Sequence, residues 1–202
     1  MDWDSRYSVE GYLFGRAATP FIARHGGALS PGSRVLAIAD GEGRNSVWLA
    51  QAGHTVTAFD ISPNALAKAE ALASEEGVQL DLHESSVEDW AWQPGAFDAV
   101  AAIFFQFLAP PKRAEVFALI DRTLRPGGVL LLHGFAPRQV RYGTGGPPAV
   151  ANMYTLDMLL AAFPGYDVIH GADYDEVISS GQGHNGKAGL VDFVARKPWA
   201  GA

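Results

Sequence analysis

VLAIADGEGRNSVWLA, residues 35–50, joins a short apolar run to a glycine-containing loop and then to an amphipathic run. The first part is typical of a buried strand and the last part is typical of a helix. Gly41 and Gly43 let the backbone turn sharply where the helix begins, so that a ligand can lie against bare peptide groups. Two glycines at a strand end also fit an ordinary turn, so the ligand-binding interpretation depends on what surrounds the loop.

From residue 30 onward, short apolar runs alternate with longer amphipathic ones, a pattern typical of a parallel sheet with helices on both faces. The predicted strands are 34–39, 55–60, 79–84, 97–103 and 128–133. Two later strands, 166–174 and 189–196, are joined by the glycine-rich loop SSGQGHNGKAG and predict a closing hairpin. The whole pattern favours an α/β fold.

The ends of the predicted helices carry local signals. Ser62 and Pro63 form an N-cap with a first-turn proline and open a helix that continues to Gly77. Another helix is predicted over about 112–124, where the sequence Arg-Pro-Gly-Gly ends it. The Gly/Pro-rich stretch 136–150 then predicts a long functional loop, with a short helix after it.

Length and composition predict one domain and exclude several function classes. The chain has 202 residues, and no repeat or low-complexity tract divides it. Its formal net charge is −7 and it has no run of Lys or Arg, which argues against nucleic acid or anionic membrane as a partner. It has no cysteine, so disulfides, thiolate nucleophiles and cysteine-bound zinc are excluded. With no signal-peptide pattern and no run of 18 apolar residues, we expect a soluble cytoplasmic protein.

Asp60 supplies the context that the glycine loop needs. It ends the second predicted strand, where a carboxylate accepts hydrogen bonds from ribose hydroxyls and so indicates a nucleoside cofactor. A helix-capping role for Asp60 is the alternative, but Ser62 is already a good cap. NAD and S-adenosylmethionine compete as cofactors. The third glycine of a pyrophosphate-binding loop would fall at Ser46, and 202 residues hardly supply a second dinucleotide half, so S-adenosylmethionine is favoured.

At this point the chain resembles the class I S-adenosylmethionine-dependent methyltransferases. The resemblance is carried by residues 35–50, the acid of AFDIS at 60, FDAV at 97–100, LRPGG at 124–128 and the terminal hairpin. More narrowly, the leader WDSRYSVEGYLFG and the later segments RYGTGGPP and GQGHNGKAG look like the small bacterial group related to tellurite-resistance and thiopurine methyltransferases.

The resemblance implies a Rossmann-like three-layer sandwich whose seven-stranded sheet is mostly parallel with an antiparallel last strand. It implies one methyltransferase domain over 1–202. Within that domain we expect an amino-terminal helical lid at 1–30, a cofactor-binding core at 31–135, and a substrate loop, helix and closing hairpin at 136–202.

The resemblance also implies where the cofactor is held. The predicted contacts are Asp40, Gly41, Gly43, Asn45, Asp60, Ile61, Ser86 and Val87. Ala37 and Ala39 depart from the family's first motif, which usually has an acid and a further glycine there, and Asp40 is the nearby carboxylate that could reach the cofactor's ammonium group. A serine hydroxyl accepts a hydrogen bond from the adenine amine more weakly than a carboxylate does, so Glu88 and Asp89 stay as the alternative pair.

Candidates for the acceptor side lie at strand ends and in the long loop. Gln106 follows the fourth strand, His133 ends the fifth, and Tyr142 lies beside Arg141 in the loop. His133 is the candidate base because its ordinary pKa lies near neutrality, although a histidine at a strand end is more often structural. An alcohol or amine acceptor needs a base, whereas a soft sulfur, selenium or tellurium anion needs positioning alone.

Four amino-terminal aromatic residues allow two interpretations. They either form a lid over the sulfonium and the substrate or pack as a hydrophobic helix on the core. They are Trp3, Tyr7, Tyr12 and Phe14.

No metal site is predicted. His184 has no second His, Asp or Glu at a recognised ligand spacing. The other histidines are scattered along the chain and are interpreted as structural or exposed. They are His25, His54, His83 and His170.

The sequence therefore predicts methyl transfer from S-adenosylmethionine to a small molecule, either a thiol, a chalcogen oxyanion or another small nucleophile. Two alternatives stay open. One is a protein that binds or senses S-adenosylmethionine without transferring its methyl group, which Ala37 and Ala39 favour. The other is an NAD-linked oxidoreductase.

Overall fold

A single seven-stranded sheet organises the chain in the computed structural model, which describes residues 2–201. The strands are β1 (Arg34–Ile38), β2 (Thr55–Asp60), β3 (Asp81–Glu84), β4 (Phe97–Ile103), β5 (Leu124–Phe135), β6 (Asp167–Ser180) and β7 (His184–Arg196). Their order across the sheet is β3-β2-β1-β4-β5-β7-β6. Strand β7 runs antiparallel to both of its neighbours, whereas the pairs from β3 to β5 are parallel. The predicted mostly parallel sheet with an antiparallel last strand is confirmed.

The structure has six α-helices within residues 2–201. They are α1 (Trp3–Tyr7), α2 (Pro20–His25), α3 (Arg44–Gln51), α4 (Pro63–Glu75), α5 (Pro110–Thr123) and α6 (Leu156–Ala162). The predicted cap of α4 is present, because the Ser62 hydroxyl accepts a hydrogen bond from the Ala65 N–H. Thr155 caps α6 through the Met158 N–H in the same way. Short 3-10 helices lie at Gly26–Ala28, Pro137–Arg141 and Val150–Asn152.

The core lies on both faces of the sheet because successive side chains of a strand point to opposite sides. In β1, Leu36 and Ile38 pack into one apolar cluster with residues of α5 and α6. Val35 and Ala37 pack into a second cluster with residues of α2 and α3. This two-sided burial gives the predicted three-layer sandwich.

Several element ends differ from the prediction, most of all in the closing hairpin. Its strands continue through the predicted loop, with Ser180 opposite His184, so that the turn is three residues long. Two of the glycines there serve close packing instead of a turn, since a Cβ at Gly186 would lie 2.7 Å from Thr144 and one at Gly189 would lie 2.8 Å from Arg138. The prediction that these two glycines belong to a loop is therefore wrong, because the side chains that pack against them lie in a distant segment of the sequence.

Smaller differences occur at the fifth strand and the helix before it. Helix α5 begins at Pro110, which fits the preference of proline for the first turn, and β5 begins directly at Leu124. The Arg-Pro-Gly-Gly segment thus forms the irregular start of the strand, where the pairing with β4 shifts register. Within residues 2–201, no helix has the length and apolar character needed to cross a membrane.

Candidate functional site

A cleft of about 550 Å³ opens at the carboxyl ends of β1, β2, β4 and β5. Open α/β sheets bind ligands at this edge. One side of the cleft, here called the strand-end wall, consists of Ala39, Asp40, Asp60, Ile61, Ser86 and Val87. A second group of lining residues, here called the arm wall, consists of Trp3, Arg6, Tyr7, Phe14, Arg44 and His184.

The loop between β1 and α3 follows its path because three residues adopt positive φ. Ala39 has φ +47°, Gly41 has +65° and Gly43 has +84°. A Cβ at Gly43 would lie 2.7 Å from the Cβ of Ala69 in α4, and one at Gly41 would lie 2.7 Å from the Tyr7 hydroxyl. The two glycines are thus required by packing around the loop. They are not among the residues that line the cleft within 2–201, whereas their neighbour Asp40 is.

Asp60 lies at the end of β2 with its carboxylate inside the cleft. Its two oxygens accept hydrogen bonds from the Gly41 N–H at 2.9 Å and the Ser62 N–H at 3.0 Å. These bonds fix the carboxylate, and an ionised carboxylate retains lone pairs for further donors. Burial raises the pKa of Asp60 above its ordinary value.

Asp40 is the second carboxylate on the strand-end wall. One of its oxygens accepts a short hydrogen bond from the Ser46 hydroxyl. Burial raises the pKa of Asp40 to about 6, and the nearby Asp60 carboxylate acts in the same direction. A cationic ligand group beside Asp40 would stabilise the ionised carboxylate and lower its pKa again.

The far end of the strand-end wall is an apolar slot. Ile61 is 56% exposed although it is a large aliphatic residue, while Val87 is buried. The Ser86 hydroxyl donates to Asp89 at 2.6 Å, so its side chain is used within its own turn. Of the alternative pair, Glu88 lines the cleft and Asp89 does not.

Asn45 and Glu42 connect the loop to the amino-terminal segment. The Asn45 side-chain oxygen accepts hydrogen bonds from the N–H and hydroxyl of Thr19, at 3.0 and 3.1 Å. The buried Glu42 carboxylate accepts the N–H groups of Leu13 and Phe14 and pairs with Lys68 at 3.0 Å. Glu42 therefore holds the segment at residues 3–14, here called the arm, beside the cleft. In the sequence, the only signal for this role is a carboxylate between two glycines.

The arm is also held by the turn of the closing hairpin. The Gln182 and Gly183 N–H groups both donate to the Leu13 carbonyl, at 2.9 and 3.0 Å. A Cβ at Gly183 would lie 2.2 Å from the ring of Phe14, which shows how closely the two segments pack. Of the four predicted lid residues, Trp3, Tyr7 and Phe14 line the cleft. Tyr12 instead packs toward α4, where its hydroxyl donates to the Lys68 carbonyl at 3.3 Å.

His184 lies on the arm wall inside an aromatic cage. Its ring centroid is 4.6 Å from those of Phe14 and Phe104 and 5.0 Å from that of Phe135. Its Nδ1 is buried without a hydrogen-bond partner in the described part of the chain. Burial lowers the pKa of His184 to about 3, and nearby arginines add to the effect. The ring is therefore neutral at physiological pH and presents a polar edge in an apolar cage.

Two arginines bring positive charge to the arm wall. Arg44 is buried, and its guanidinium donates to the Phe14 carbonyl at 2.7 Å. Burial lowers the pKa of Arg44 to about 10, which leaves it charged at neutral pH. Arg6 lies over the ring of Trp3, 4.6 Å from its centroid. The sequence singles out neither arginine, since Arg6 reaches the cleft through the amino-terminal segment and Arg44, the first residue of α3, carries no local signal of its own.

The three residues proposed for catalysis are placed differently from one another. Gln106 lines the cleft, but both ends of its amide bond the backbone of Phe135, at 2.6 and 2.8 Å. His133 is buried behind the cleft, stacks on Phe21 and bonds Asp192 at 2.7 Å. Tyr142 lies on the surface, where its hydroxyl donates to Asp175. Within 2–201, neither His133 nor Tyr142 lines the cleft.

The residues of the strand-end wall fit the cofactor that the sequence favours. The slot beside exposed Ile61 suits a flat apolar ring, and the Asp60 carboxylate next to it suits hydroxyl donors. Asp40 suits an ammonium group. Ser46, at the position of a third glycine, is buried and bonded to the Gly43 carbonyl at 3.0 Å. Its side chain occupies the space that a pyrophosphate-binding loop keeps clear, so the fit to a dinucleotide is poor.

Comparison with known sequences gives matches over the middle of the chain. Residues 35–128 match the family model described as a methyltransferase domain. A ubiquinone biosynthesis O-methyltransferase of Xanthomonas campestris is 40% identical over 103 residues, which are 50% of this chain and 43% of that protein. An uncharacterized methyltransferase of Synechocystis is 33% identical over 106 residues, 52% of this chain and 48% of that protein. The chain thus matches less than half the length of these curated relatives.

Comparison with solved structures extends over nearly the whole chain and shows the fold. A structure from a study of the conversion of a disulfide bond into a thioacetal group in echinomycin biosynthesis has a TM-score of 0.76 at 19% identity and covers 99% of this chain and 92% of its own. A methyltransferase of Methanosarcina mazei has a TM-score of 0.70 at 19% identity, and the match covers 91% of this chain and 99% of that one. TehB of Haemophilus influenzae has a TM-score of 0.72 at 17% identity, and the match covers 96% of this chain and 65% of that one.

Proposed function

Since residues 35–128 form a methyltransferase domain of the class I, S-adenosylmethionine-dependent kind, we propose that this protein transfers a methyl group to a small acceptor that carries a negative charge. The predicted resemblance and cofactor are confirmed at the level of this class. The observation that supports the proposal is the lining of the cleft, which contains Arg6 and Arg44 as well as the carboxylates of Asp40 and Asp60. The Glu42 carboxylate in the same lining is already paired with Lys68.

On the strand-end wall, each residue has a separate task. Asp60 would bind the ribose hydroxyls, and its orientation is fixed by the Gly41 and Ser62 N–H groups. Asp40 would pair with the ammonium end. Ile61 and Val87 would enclose the adenine ring, with Ser86 or Glu88 near its amine. When bound, S-adenosylmethionine supplies a methyl group on a sulfonium, which a nucleophile displaces in line.

On the arm wall, the residues bind the acceptor and exclude water. Arg44 is charged and buried, so its electrostatic attraction for an anion is weakly screened. The rings of Phe14 and Phe104 provide apolar surface beside it, and aromatic faces also stabilise a sulfonium cation. The arm covers the cleft because Glu42 and the hairpin turn hold it there. Water exclusion strengthens each of these electrostatic interactions.

The low pKa of His184 restricts the chemical class of the acceptor further. A histidine with a pKa of about 3 is a poor proton acceptor at neutral pH. His133 has its Nδ1 engaged by Asp192 and lies outside the lining of the cleft among the described residues. An acceptor that is already ionised needs no base, so thiolates and chalcogen oxyanions are favoured over alcohols and amines. The O-methyltransferase relative makes an acidic hydroxyl the next class to test.

The proposal is tested by incubating the purified protein with S-adenosylmethionine and single acceptors from four classes: aromatic thiols, selenite or tellurite, catechols, and simple primary amines. Formation of S-adenosylhomocysteine and of the methylated product is measured by mass spectrometry. We expect turnover with at least one anionic acceptor and none with simple primary amines. Cofactor binding without turnover in any class would support the sensing alternative, and binding of NAD alone would support the oxidoreductase.

A further inference from the structure

A cluster of histidines around one buried aspartate lies apart from the cleft. Asp192 on β7 is buried, with 3% of its side chain exposed. Its Oδ2 lies 3.5 Å from Nε2 of His25 at the end of α2 and 3.7 Å from Nε2 of His170 on β6. None of these three residues is among those that line the cleft within 2–201. The function proposed above leaves the cluster without a role.

The distances from the Asp192 Oδ2 to the two histidine nitrogens are longer than those of strong charge-assisted hydrogen bonds. A charge-assisted N–H to carboxylate bond measures about 2.7–2.9 Å, whereas the two distances here are 3.5 and 3.7 Å. Ligands about 2.0–2.1 Å from a tetrahedral zinc ion lie roughly 3.3–3.4 Å from one another. All three candidate ligand atoms lie within 4.8 Å of one another. The separations therefore come close to those around a small ion.

The other oxygen of Asp192 is held in the way that metal-binding carboxylates usually are. Its Oδ1 bonds His133 Nδ1 at 2.7 Å and accepts the Tyr174 hydroxyl at 3.1 Å. These two bonds orient the carboxylate so that Oδ2 faces His25 and His170. Outer hydrogen bonds of this kind are a regular feature of metal sites, because they fix the ligand and tune its basicity.

Charge and access also suit a cation. Arg24, whose charge acts on His25, is neutralised by Glu176, whose oxygens lie 3.2 and 3.3 Å from its guanidinium. The His170 side chain is 39% exposed and that of His25 is 17% exposed. The cluster therefore opens to solvent on the imidazole side, where an ion can enter and water can complete its coordination.

We propose that His25, His170 and Asp192 bind a divalent transition-metal ion, with zinc as the best match to two imidazoles, one carboxylate and open positions for water. Imidazole and carboxylate ligands suit Zn²⁺ and also Co²⁺, Ni²⁺ and Fe²⁺, while Mg²⁺ and Ca²⁺ prefer oxygen ligands alone. The sequence did not predict the site, because its ligands come from α2, β6 and β7 and share no short spacing.

A bound ion would tie the amino-terminal segment to the closing hairpin. Helix α2 carries His25 at its last residue, and its N-cap Thr19 is bonded to Asn45 in the lining of the cleft. Fixing the end of α2 against β6 and β7 therefore stabilises the element that borders the arm wall. At a hundredfold excess of zinc over its Kd we expect the melting temperature to rise by about 5–10 °C.

The test is metal binding by the full chain after treatment with a chelator. Zinc binding is measured by calorimetry, and cobalt binding is followed by the visible absorption bands of a four- or five-coordinate ion. The variants are Asp192→Asn, which keeps the shape of the side chain, and His170→Gln, which changes a partly exposed residue. His83→Gln is the matched control, since His83 also pairs with one carboxylate, Asp81, at 2.9 Å but belongs to no group of three candidate ligands within residues 2–201.

We expect about one zinc per chain, at least tenfold weaker binding in Asp192→Asn and His170→Gln, and a change of less than twofold in His83→Gln. Should Asp192→Asn fail to fold, His170→Gln decides, with its melting temperature in chelator as the check on folding. Zinc affinity that is equal in the parent protein, His170→Gln and His83→Gln would overturn the proposal, as would the absence of cobalt bands or of stoichiometric binding.

Discussion

The two walls of the cleft are built in different ways. The strand-end wall comes largely from residues 39–61, which are consecutive elements of one strand-loop-helix-strand unit. The arm wall joins amino-terminal residues to Arg44 and to a hairpin residue, His184, which lies 181 positions after Trp3. A wall made from one unit can be predicted from local sequence, whereas a wall assembled from distant segments depends on the completed fold.

The largest expected effect concerns the loop that supports the strand-end wall. Replacing Gly43 by Ala forces an L residue to φ +84° and places a Cβ 2.8 Å from the Cα of Ala69. The matched control is Gly53→Ala, where φ is +90° but no atom lies within 4 Å of the added Cβ. We expect Gly43→Ala to lower the free energy of unfolding by about 3 kcal/mol and Gly53→Ala by about 1 kcal/mol, measured by urea denaturation. Equal losses would show that α4 does not constrain the loop.

A second prediction uses the pH dependence of Asp40. Its pKa is about 6, so the carboxylate that would pair with the cofactor's ammonium is lost as the pH falls through that value. We expect the affinity for S-adenosylhomocysteine, measured by calorimetry, to fall up to about tenfold per pH unit below pH 6. The affinity of Asp40→Asn should be nearly independent of pH between 5 and 7.

The pH dependence of stability provides the control for this prediction. Ionisation of Asp40 should strengthen cofactor binding but lower the free energy of unfolding. The folded pKa of Asp40 lies above the unfolded value of 3.8, so its contribution to stability is complete below about pH 4 and is lost as the pH rises through 6. Asp40→Asn should therefore be more stable than the parent protein above pH 6, by on the order of 2 kcal/mol, and should show no advantage below pH 4. A parent affinity that does not change between pH 5 and 7 would contradict the role of Asp40.

The third prediction separates the arm wall from the strand-end wall. His184→Asn alters the polar edge inside the aromatic cage, so we expect kcat/KM for the acceptor to fall about tenfold, while the Kd for S-adenosylhomocysteine changes less than twofold. Tyr142→Phe is the comparison, because its hydroxyl bonds Asp175 on the surface. We expect less than a twofold change in either constant. The division into two walls fails if His184→Asn weakens cofactor binding as much as it weakens the acceptor kinetics.

The smallest expected effect is a gain in stability at Ala39. This residue has φ +47°, a conformation that glycine adopts without the steric cost of a Cβ. Ala39→Gly should therefore raise the free energy of unfolding, by about 1 kcal/mol at most, because greater freedom of the unfolded chain offsets part of the gain. Urea denaturation beside Ala37→Gly, at a buried position with ordinary φ, is the check. Ala39→Gly destabilising the chain as much as Ala37→Gly would show that the loop is not strained there.

The sequence predicted the sheet well because its signals are local. Alternating apolar runs and the Ser62 cap lie within the elements that they define, and the structure has the expected strands and their antiparallel end. The closing hairpin was predicted too short, since the glycines at 186 and 189 make room for Thr144 and Arg138. A sequence does not show which distant side chain a glycine accommodates.

The candidate site shows the same difference between residues with local sequence signals and residues that only the fold brings together. Asp40, Asp60 and Ile61 follow strand ends and line the cleft, as their positions in the sequence suggested. His184 gave no such signal, because its significance comes from a cage of Phe14, Phe104 and Phe135 that only the fold assembles. Tyr142 lies within the predicted substrate loop, yet its hydroxyl donates to Asp175 on the surface.

The most direct test of the account is calorimetric titration of S-adenosylmethionine, S-adenosylhomocysteine and NAD into the parent protein and into Asp60→Asn. The two adenosyl ligands should bind the parent protein with a stoichiometry near one, NAD should not bind, and Asp60→Asn should bind about a hundredfold more weakly. That loss corresponds to about 2.7 kcal/mol, which is reasonable for a buried carboxylate that accepts hydrogen bonds from hydroxyls. Unchanged affinity in a folded Asp60→Asn, or preferential binding of NAD, would contradict the assignment of the strand-end wall to S-adenosylmethionine.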